Sequence, residues 1–169
     1  MKLVGALLIL YASLSLGLRI CAEQKKVLAL LRELLSMLEQ LQGELELRSA
    51  PLPDLFASVG KCVQGEAGAF LRGVAEHMDQ LGEESFCEIW SGEVRRFLRS
   101  LPAAEREELL RLGLVLGRMD LEAELRALAR CRSSLDRSLL GLRQQLPAKR
   151  RLALGLSAAA GLLTVILMI

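Results

Sequence analysis

Two uncharged apolar segments lie at the two ends of this chain, and basic residues flank each of them on the inner side. The first covers residues 3–18 and ends at Arg19, and the second covers residues 152–169 and follows three basic residues. Each residue of an α-helix adds about 1.5 Å, so the second segment nearly spans a hydrocarbon core of about 30 Å. The sequence therefore predicts a small soluble domain that is held to a membrane at both ends.

Basic residues concentrate on the cytoplasmic side of membrane helices, so the flanks predict how the chain is oriented. Only Lys2 lies outside the first segment, and no Lys or Arg follows the second one. The inner flanks carry eight basic residues: Arg19, Lys25, Lys26, Arg32, Arg143, Lys149, Arg150 and Arg151. We therefore predict an N-terminal transmembrane segment at 1–21, a cytoplasmic domain at 22–147, and a basic flank with a transmembrane helix at 148–169.

A cleaved signal peptide is the alternative for the first segment, with small residues near Ser13 and Ser15 as the cleavage site. The domain would then lie outside the cytoplasm on a single C-terminal anchor, as in a receptor or an adhesion stalk. The basic flank of the second segment disagrees with that orientation, so we favour two anchors.

The second apolar segment carries small residues at intervals of four, namely Ala153, Ser157 and Gly161. Small residues let two membrane helices approach closely, so this face is a candidate for membrane-helix packing. Both segments contain few polar residues, and the chain alone is therefore not expected to form a channel.

The middle domain is predicted to be an all-α bundle with long first and last helices. Leucines recur in steps of three and four in residues 22–48 and again in residues 120–146, where Arg132 or its neighbour Cys131 fills the one missing apolar position. Shorter helical patterns cover 52–59, 69–81, 84–101 and 102–117, and the glycines of 60–68 indicate a connection. Gly117 is a candidate C-cap, and Asp120 is a candidate N-cap. No segment alternates with the period of a strand.

The composition offers little for catalysis or nucleic-acid binding. The net charge is +2, and the four cysteines are widely spaced, without the CxxC pairs of zinc or redox sites. The single histidine, His77, lies on a helix near Glu76 and Asp79, where a solvated side chain is expected. No phosphate-binding loop is present, since Gly60-Lys61 lacks the rest of that motif. We therefore predict no enzyme activity, no cofactor, no metal, no small-molecule substrate and no nucleic-acid partner.

Several motifs resemble the stage III sporulation protein AB family. Glu44-Leu45 followed by Ala50-Pro51-Leu52-Pro53-Asp54 is similar to its Glu-Ile and Thr-Pro-Leu-Pro element, and Trp90 matches its mid-domain tryptophan. Leu112-Gly113 followed by Leu116-Gly117-Arg118-Met119-Asp120 is similar to its Phe-Gly, Leu-Gly and Ser-Asp motif. The chain departs from the pattern at Ala50, at Met119, and at Glu124, where Gln is expected.

The resemblance implies an endospore-forming bacterium and a place in the multiprotein complex that connects mother cell and forespore. It also implies similarity to the cytoplasmic helical domain of type II secretion platform proteins, which couple a cytoplasmic ATPase to membrane components. The expected role is a scaffold in the mother-cell membrane around the forespore. Its expected partners are the membrane, a secretion-type ATPase and other stage III channel proteins.

We expect the motif residues to shape the fold rather than to bind a partner: Glu44, Pro51, Leu52, Trp90, Gly113, Gly117 and Asp120. A partner surface is sought instead among exposed charges on the later helices: Glu105, Glu107, Glu108, Arg111, Arg126 and Arg130.

Overall fold

The computed structural model describes the backbone of residues 2–47, 51–78, 85–117 and 120–168. Side chains are described for residues 22–47, 51–78, 85–117 and 120–144. The described residues form helices and no strands, which confirms the predicted all-α class. The helices are α1 (Lys2–Leu47), α2 (Leu52–Cys62), α3 (Gly65–Met78), α4 (Phe86–Phe97), α5 (Ala103–Gly113) and α6 (Leu121–Met168).

The chain divides into two compact units, one formed by residues 1–26 with 140–169 and the other by residues 27–139. The predicted membrane segments at 1–21 and 148–169 have a helical backbone, but their side chains lie outside the described residues. Among the residues whose side chains are described, no helix is long and apolar enough to cross a membrane. The two membrane spans stay predictions.

The leucine period of α1 places its core side chains correctly. Leu31, Leu34, Leu38 and Leu41 are at most 1% exposed, as expected for one face of an amphipathic helix. The short helices pack in succession, α2 on α3, α3 on α4 and α4 on α5. The buried face of α1 and the apolar faces of these helices supply the core of the unit 27–139.

In α6 the apolar series passes through Cys131 and not through Arg132. Cys131 is 3% exposed and lies between the buried Leu128 and Leu135. Arg132 is half-buried, and its guanidinium lies 3.1 Å from the carboxylate of Glu39 on α1. Of the two neighbours that the sequence left open for this apolar position, Cys131 occupies it, because the charge of Arg132 reaches a carboxylate on the neighbouring helix.

The connection predicted at residues 60–68 is mostly helical, since α2 ends at Cys62 and α3 begins at Gly65. Gly60 lies where a Cβ atom would come within 3.3 Å of Leu71 and Arg72. A Cβ atom on Gly68 would overlap the carbonyl of Val63. The glycines were taken for loop residues, but they allow close packing of α2 on α3.

The carboxylate of Glu33, on α1, lies at the start of α3. Its Oε2 atom accepts a hydrogen bond from the backbone N–H of Ala67, at 3.5 Å, and contacts Gly65. Gly65 has a φ of +74°, a conformation that favours glycine. An acidic side chain from another helix thus satisfies an otherwise unpaired donor at the N-terminus of α3.

Candidate functional site

Trp90 of α4 is the centre of the aromatic core. Its side chain is fully buried, and its Nε1–H donates a hydrogen bond of 2.7 Å to the backbone carbonyl of Leu109 on α5. The ring lies 4.8 Å from Phe70 in an edge-on arrangement, and about 6 Å from Phe56 and Phe86. A buried indole requires a partner for its N–H, and the fold supplies one from α5.

Gly113, at the end of α5, packs against the indole of Trp90. A Cβ atom at this position would overlap the Cδ1 and Cγ atoms of the ring. Only glycine lets the α5 backbone come this close, so two separate family motifs meet in one contact.

A turn at residues 114–117 follows α5. Gly117 has a φ of +83°, and a Cβ atom there would come within 3.8 Å of Phe86 and Leu52. Helix α5 has already ended at Gly113, so Gly117 is not its C-cap. The predicted C-cap role of Gly117 is therefore wrong, since Leu114 follows the last residue of α5.

Asp120 caps α6, as predicted. Its Oδ1 atom accepts a hydrogen bond of 3.1 Å from the backbone N–H of Ala123. Glu124 is 5% exposed, and its Oε1 atom accepts a hydrogen bond of 2.8 Å from the N–H of Gly117. The carboxylate that departs from the family pattern therefore ties the turn to the first turn of α6.

Two motif residues lie before or at the start of α2. The carbonyl of Pro51 accepts a hydrogen bond from the N–H of Leu55, which begins the helix. Leu52 is half-buried, and Glu44 of α1 is half-buried too. Ala50 and Met119 lie outside the described residues. Leu52, Trp90, Gly113, Gly117 and Asp120 thus serve the packing or capping of α2, α4, α5 and α6.

The residues predicted as a partner surface divide into two groups. Glu107 and Arg111 are exposed on α5 and lie 3.7 Å apart, whereas Arg126 and Arg130 are exposed on α6. Arg126 pairs with Glu122 of its own helix at 3.2 Å. Exposed pairs of this kind contribute little to stability, so these side chains are available for other contacts.

Glu105 and Glu108 are less accessible. Both are half-buried, and within the described part of the chain the Oε2 atom of Glu105 is buried without a hydrogen-bond partner. Burial raises the pKa of the Cys131 thiol to about 12, and the nearby charge of Glu108 adds to this effect. The half-buried Glu108 carboxylate therefore lies near Cys131 of α6.

His77 has a buried carboxylate beside it that sequence reasoning missed. The Nδ1 atom of His77 donates to the carbonyl of Gly73 at 2.8 Å and lies 3.6 Å from Oε1 of Glu93. Glu93 is 7% exposed, and its Oε2 atom lies against Gly73. His77 is therefore half-buried at the crossing of α3 and α4, and not simply solvated. The only signal for Glu93 was its position on the apolar side of α4.

Among the residues whose side chains are described, no group of three His, Cys, Asp or Glu could hold a metal ion. The small residues predicted for membrane-helix packing, Ala153, Ser157 and Gly161, lie outside the residues whose side chains are described.

Comparison with known proteins decides the family. The model of the family "Stage III sporulation protein AB" matches residues 2–169. The chain belongs to the stage III sporulation protein AB family. A solved structure of a member, titled "Stage III sporulation protein AB (SpoIIIAB)", matches with a TM-score of 0.65 at 18% sequence identity. That match covers 72% of this chain and 97% of the solved chain. A comparison with curated proteins gave no match.

Membership of the stage III sporulation protein AB family gives the chain a role in sporulation. At 18% identity the solved relative supports the fold alone. The family is named for a stage of sporulation and not for a reaction, which agrees with the prediction of a non-enzymatic protein.

Proposed function

We propose that this protein is a membrane-anchored scaffold of the channel complex between mother cell and forespore. In this proposal the cytoplasmic helices dock a secretion-type ATPase, and the apolar ends hold the chain in the mother-cell membrane around the forespore. The observation that carries it is the family match over residues 2–169, which includes both apolar ends. The scaffold needs no cofactor, small-molecule substrate or nucleic acid.

The use of the motif residues supports this role. Trp90, Gly113 and Asp120 serve packing and capping inside the unit 27–139. A protein whose distinctive residues serve its interior acts through its outer surface, where exposed charges set the rate and specificity of association. Such a rigid helical body is suited to transmit force or position between an ATPase and other proteins of the complex.

The docking surface that we propose consists of Arg111 on α5, with Glu107 beside it, and Arg130 on α6. All three side chains are exposed. Within the described residues Arg130 has no ion pair, and the Arg111–Glu107 pair is solvent-exposed. Neither arginine would therefore lose a buried partner when it binds an acidic group on the ATPase.

The test compares two double charge reversals in the full-length chain. We expect R111E/R130E to weaken binding of the complex's ATPase about tenfold, because two attractive contacts become repulsive. The matched control is R95E/R99E, which makes the same change on two exposed arginines, one on α4 and one in the connection after it. Binding is measured by co-purification from membranes and by titration with the purified ATPase. Equal binding by both variants and the parent chain would remove this docking surface from the proposal.

The second candidate function is an extracytoplasmic helical protein with a cleaved signal peptide and one C-terminal anchor. The apolar segment at residues 3–18 is the observation that favours it. Mass spectrometry of the mature chain separates the two candidates, since an intact N-terminus excludes cleavage.

A further inference from the structure

The first and last helices of the unit 27–139 share an open groove on their outer side. Leu35, Glu39 and Gln42 of α1 line it together with Ala129, Arg132, Ser133 and Asp136 of α6. The Glu39–Arg132 ion pair connects its two walls. Helices α2 to α5 do not contribute to its lining, and no described residue of the chain occupies the groove.

The sides of α1 and α6 that border the groove are called the groove face. This face carries equal numbers of positive and negative charges, unlike the unit as a whole. Residues 27–139 contain 14 Lys and Arg against 19 Asp and Glu. The groove face has Arg132 paired with Glu39, and in addition Arg32 and Asp136, which are both exposed. Arg32 lies seven residues before Glu39 on α1 and therefore on the same face. In the described part of the chain neither Arg32 nor Asp136 has a hydrogen bond or ion pair.

The positions of Arg32 and Asp136 along the helices make the face self-complementary. Helices α1 and α6 run antiparallel, since the segments before residue 27 and after residue 139 belong to one unit. Along the helix axes, Arg32 lies about 10.5 Å from the level of the Glu39–Arg132 pair. Asp136 lies about 6 Å from that level in the same direction. The two levels differ by about 4.5 Å, which an extended arginine side chain spans.

We propose that this groove face is where a second copy of this chain packs. A two-fold axis parallel to the helices sets α1 of one copy against α6 of the other and keeps every residue at its own level. Arg32 then meets Asp136 of the second copy, and this contact forms twice. Ala129 and Ser133 are small enough to let the α1 backbone of the second copy approach closely.

The charges also argue against the other two-fold arrangement. An axis that crosses the helices at the Glu39–Arg132 level sets Glu39 near Glu39 and Arg132 near Arg132, and like charges in contact are unfavourable. The parallel arrangement rests on the proposed function in one respect: two copies anchored in one membrane have their helices aligned. Confinement to a membrane raises the effective concentration of such copies, so a modest contact suffices.

The experiment is a charge swap in the full-length chain, reconstituted in lipid nanodiscs or detergent and measured by sedimentation velocity over a range of concentrations. We expect the parent chain to dimerise, and R32E and D136R each to dimerise about tenfold more weakly. The double variant R32E/D136R is expected to recover dimerisation, because the two charges are exchanged. The matched control R99E changes one exposed arginine in the connection after α4 and should leave dimerisation unchanged.

Circular dichroism of each variant confirms that the fold is intact, since both positions are exposed. A parent chain that is monomeric at every concentration, or single variants that dimerise like the parent, would overturn the proposal. Loss of ATPase binding by R32E or D136R with unchanged dimerisation would also overturn it and assign the groove to the ATPase. The measurement of ATPase binding by R111E/R130E tests only the proposed function. Failure of the dimer proposal and failure of the proposed function therefore give different results.

Discussion

At the scale of single residues, the family motifs prove to be packing devices around one indole ring. Trp90 donates its N–H to Leu109, and Gly113 provides the space that the ring occupies. Neither residue is exposed, so neither can touch a partner directly. A substitution at these positions is expected to act on function only through the stability of the fold.

The clearest residue-scale prediction concerns Gly113→Ala. The added methyl group overlaps the Trp90 ring, so the free energy of unfolding should fall by about 1–3 kcal/mol. Gly92→Ala on α4 is the matched control, because no atom lies within 4 Å of a Cβ there. That control should raise stability by about 0.5–1 kcal/mol, since alanine favours a helix over glycine. Urea unfolding followed by circular dichroism measures both, and a neutral G113A would contradict the close contact.

A second prediction at this scale follows from Cys131. Burial raises the pKa of its thiol from an ordinary value near 9 to about 12, so only the unfolded chain ionises there between these values. The unfolded state then binds fewer protons than the folded state, and stability falls as pH rises from about 9 to about 12. At pH 10.5 the loss should be about 2 kcal/mol.

Comparison with Cys131→Ala isolates this contribution, since the variant lacks the thiol but retains all other titrating groups. The measurement is urea unfolding of both chains at pH 8 and pH 10.5. An equal loss of stability in the two chains would show that the Cys131 thiol ionises as readily when folded as when unfolded.

At the scale of elements, caps and turns fix where the helices begin. Asp120→Ala removes the side-chain acceptor for the N–H of Ala123 and should cost about 1 kcal/mol of stability. Asp120→Asn keeps an acceptor oxygen at the same place and should cost only a few tenths. Thermal unfolding of the two variants measures the difference. Equal losses would mean that the negative charge, and not the hydrogen bond, is what matters at this helix start.

The sequence predicts the elements better than their contacts. Leucine spacing located the buried face of α1, and Asp120 located the start of α6, because both signals are local. Gly60 and Gly68 were wrongly assigned to a connection. A glycine in a loop and a glycine at a close helix crossing cannot be told apart from the sequence. Which of Cys131 and Arg132 faces the core depends on a carboxylate 93 positions away in the chain. Such long-range partners have no signature in the spacing of residues.

The same limit applies to the predicted partner surface, since local spacing does not show which neighbouring helix a side chain meets. Exposed charges such as Glu107 and Arg111 were predicted correctly as a solvent-facing set, because the apolar period of α5 leaves them on its outer side. Glu108 was expected beside them, but it is half-buried and lies close to Cys131. The face of a helix that contacts a neighbour of unknown position cannot be read from that helix alone.

At the scale of the whole molecule, orientation in the membrane decides which partners the helical unit can meet. The eight basic residues on the inner flanks of the two apolar ends favour a cytoplasmic position for the helical unit. The prediction is tested with Glu107→Cys in a chain whose native cysteines are replaced, because this exposed position on α5 is accessible to reagents. A membrane-impermeant maleimide should label it only after the membrane is permeabilised. A cysteine introduced at Leu3, at the outer end of the first apolar segment, is the control and should react in intact cells. The reverse pattern would place α5 outside the cytoplasm, where no cytoplasmic ATPase can reach it, and would leave the single-anchor protein as the better account.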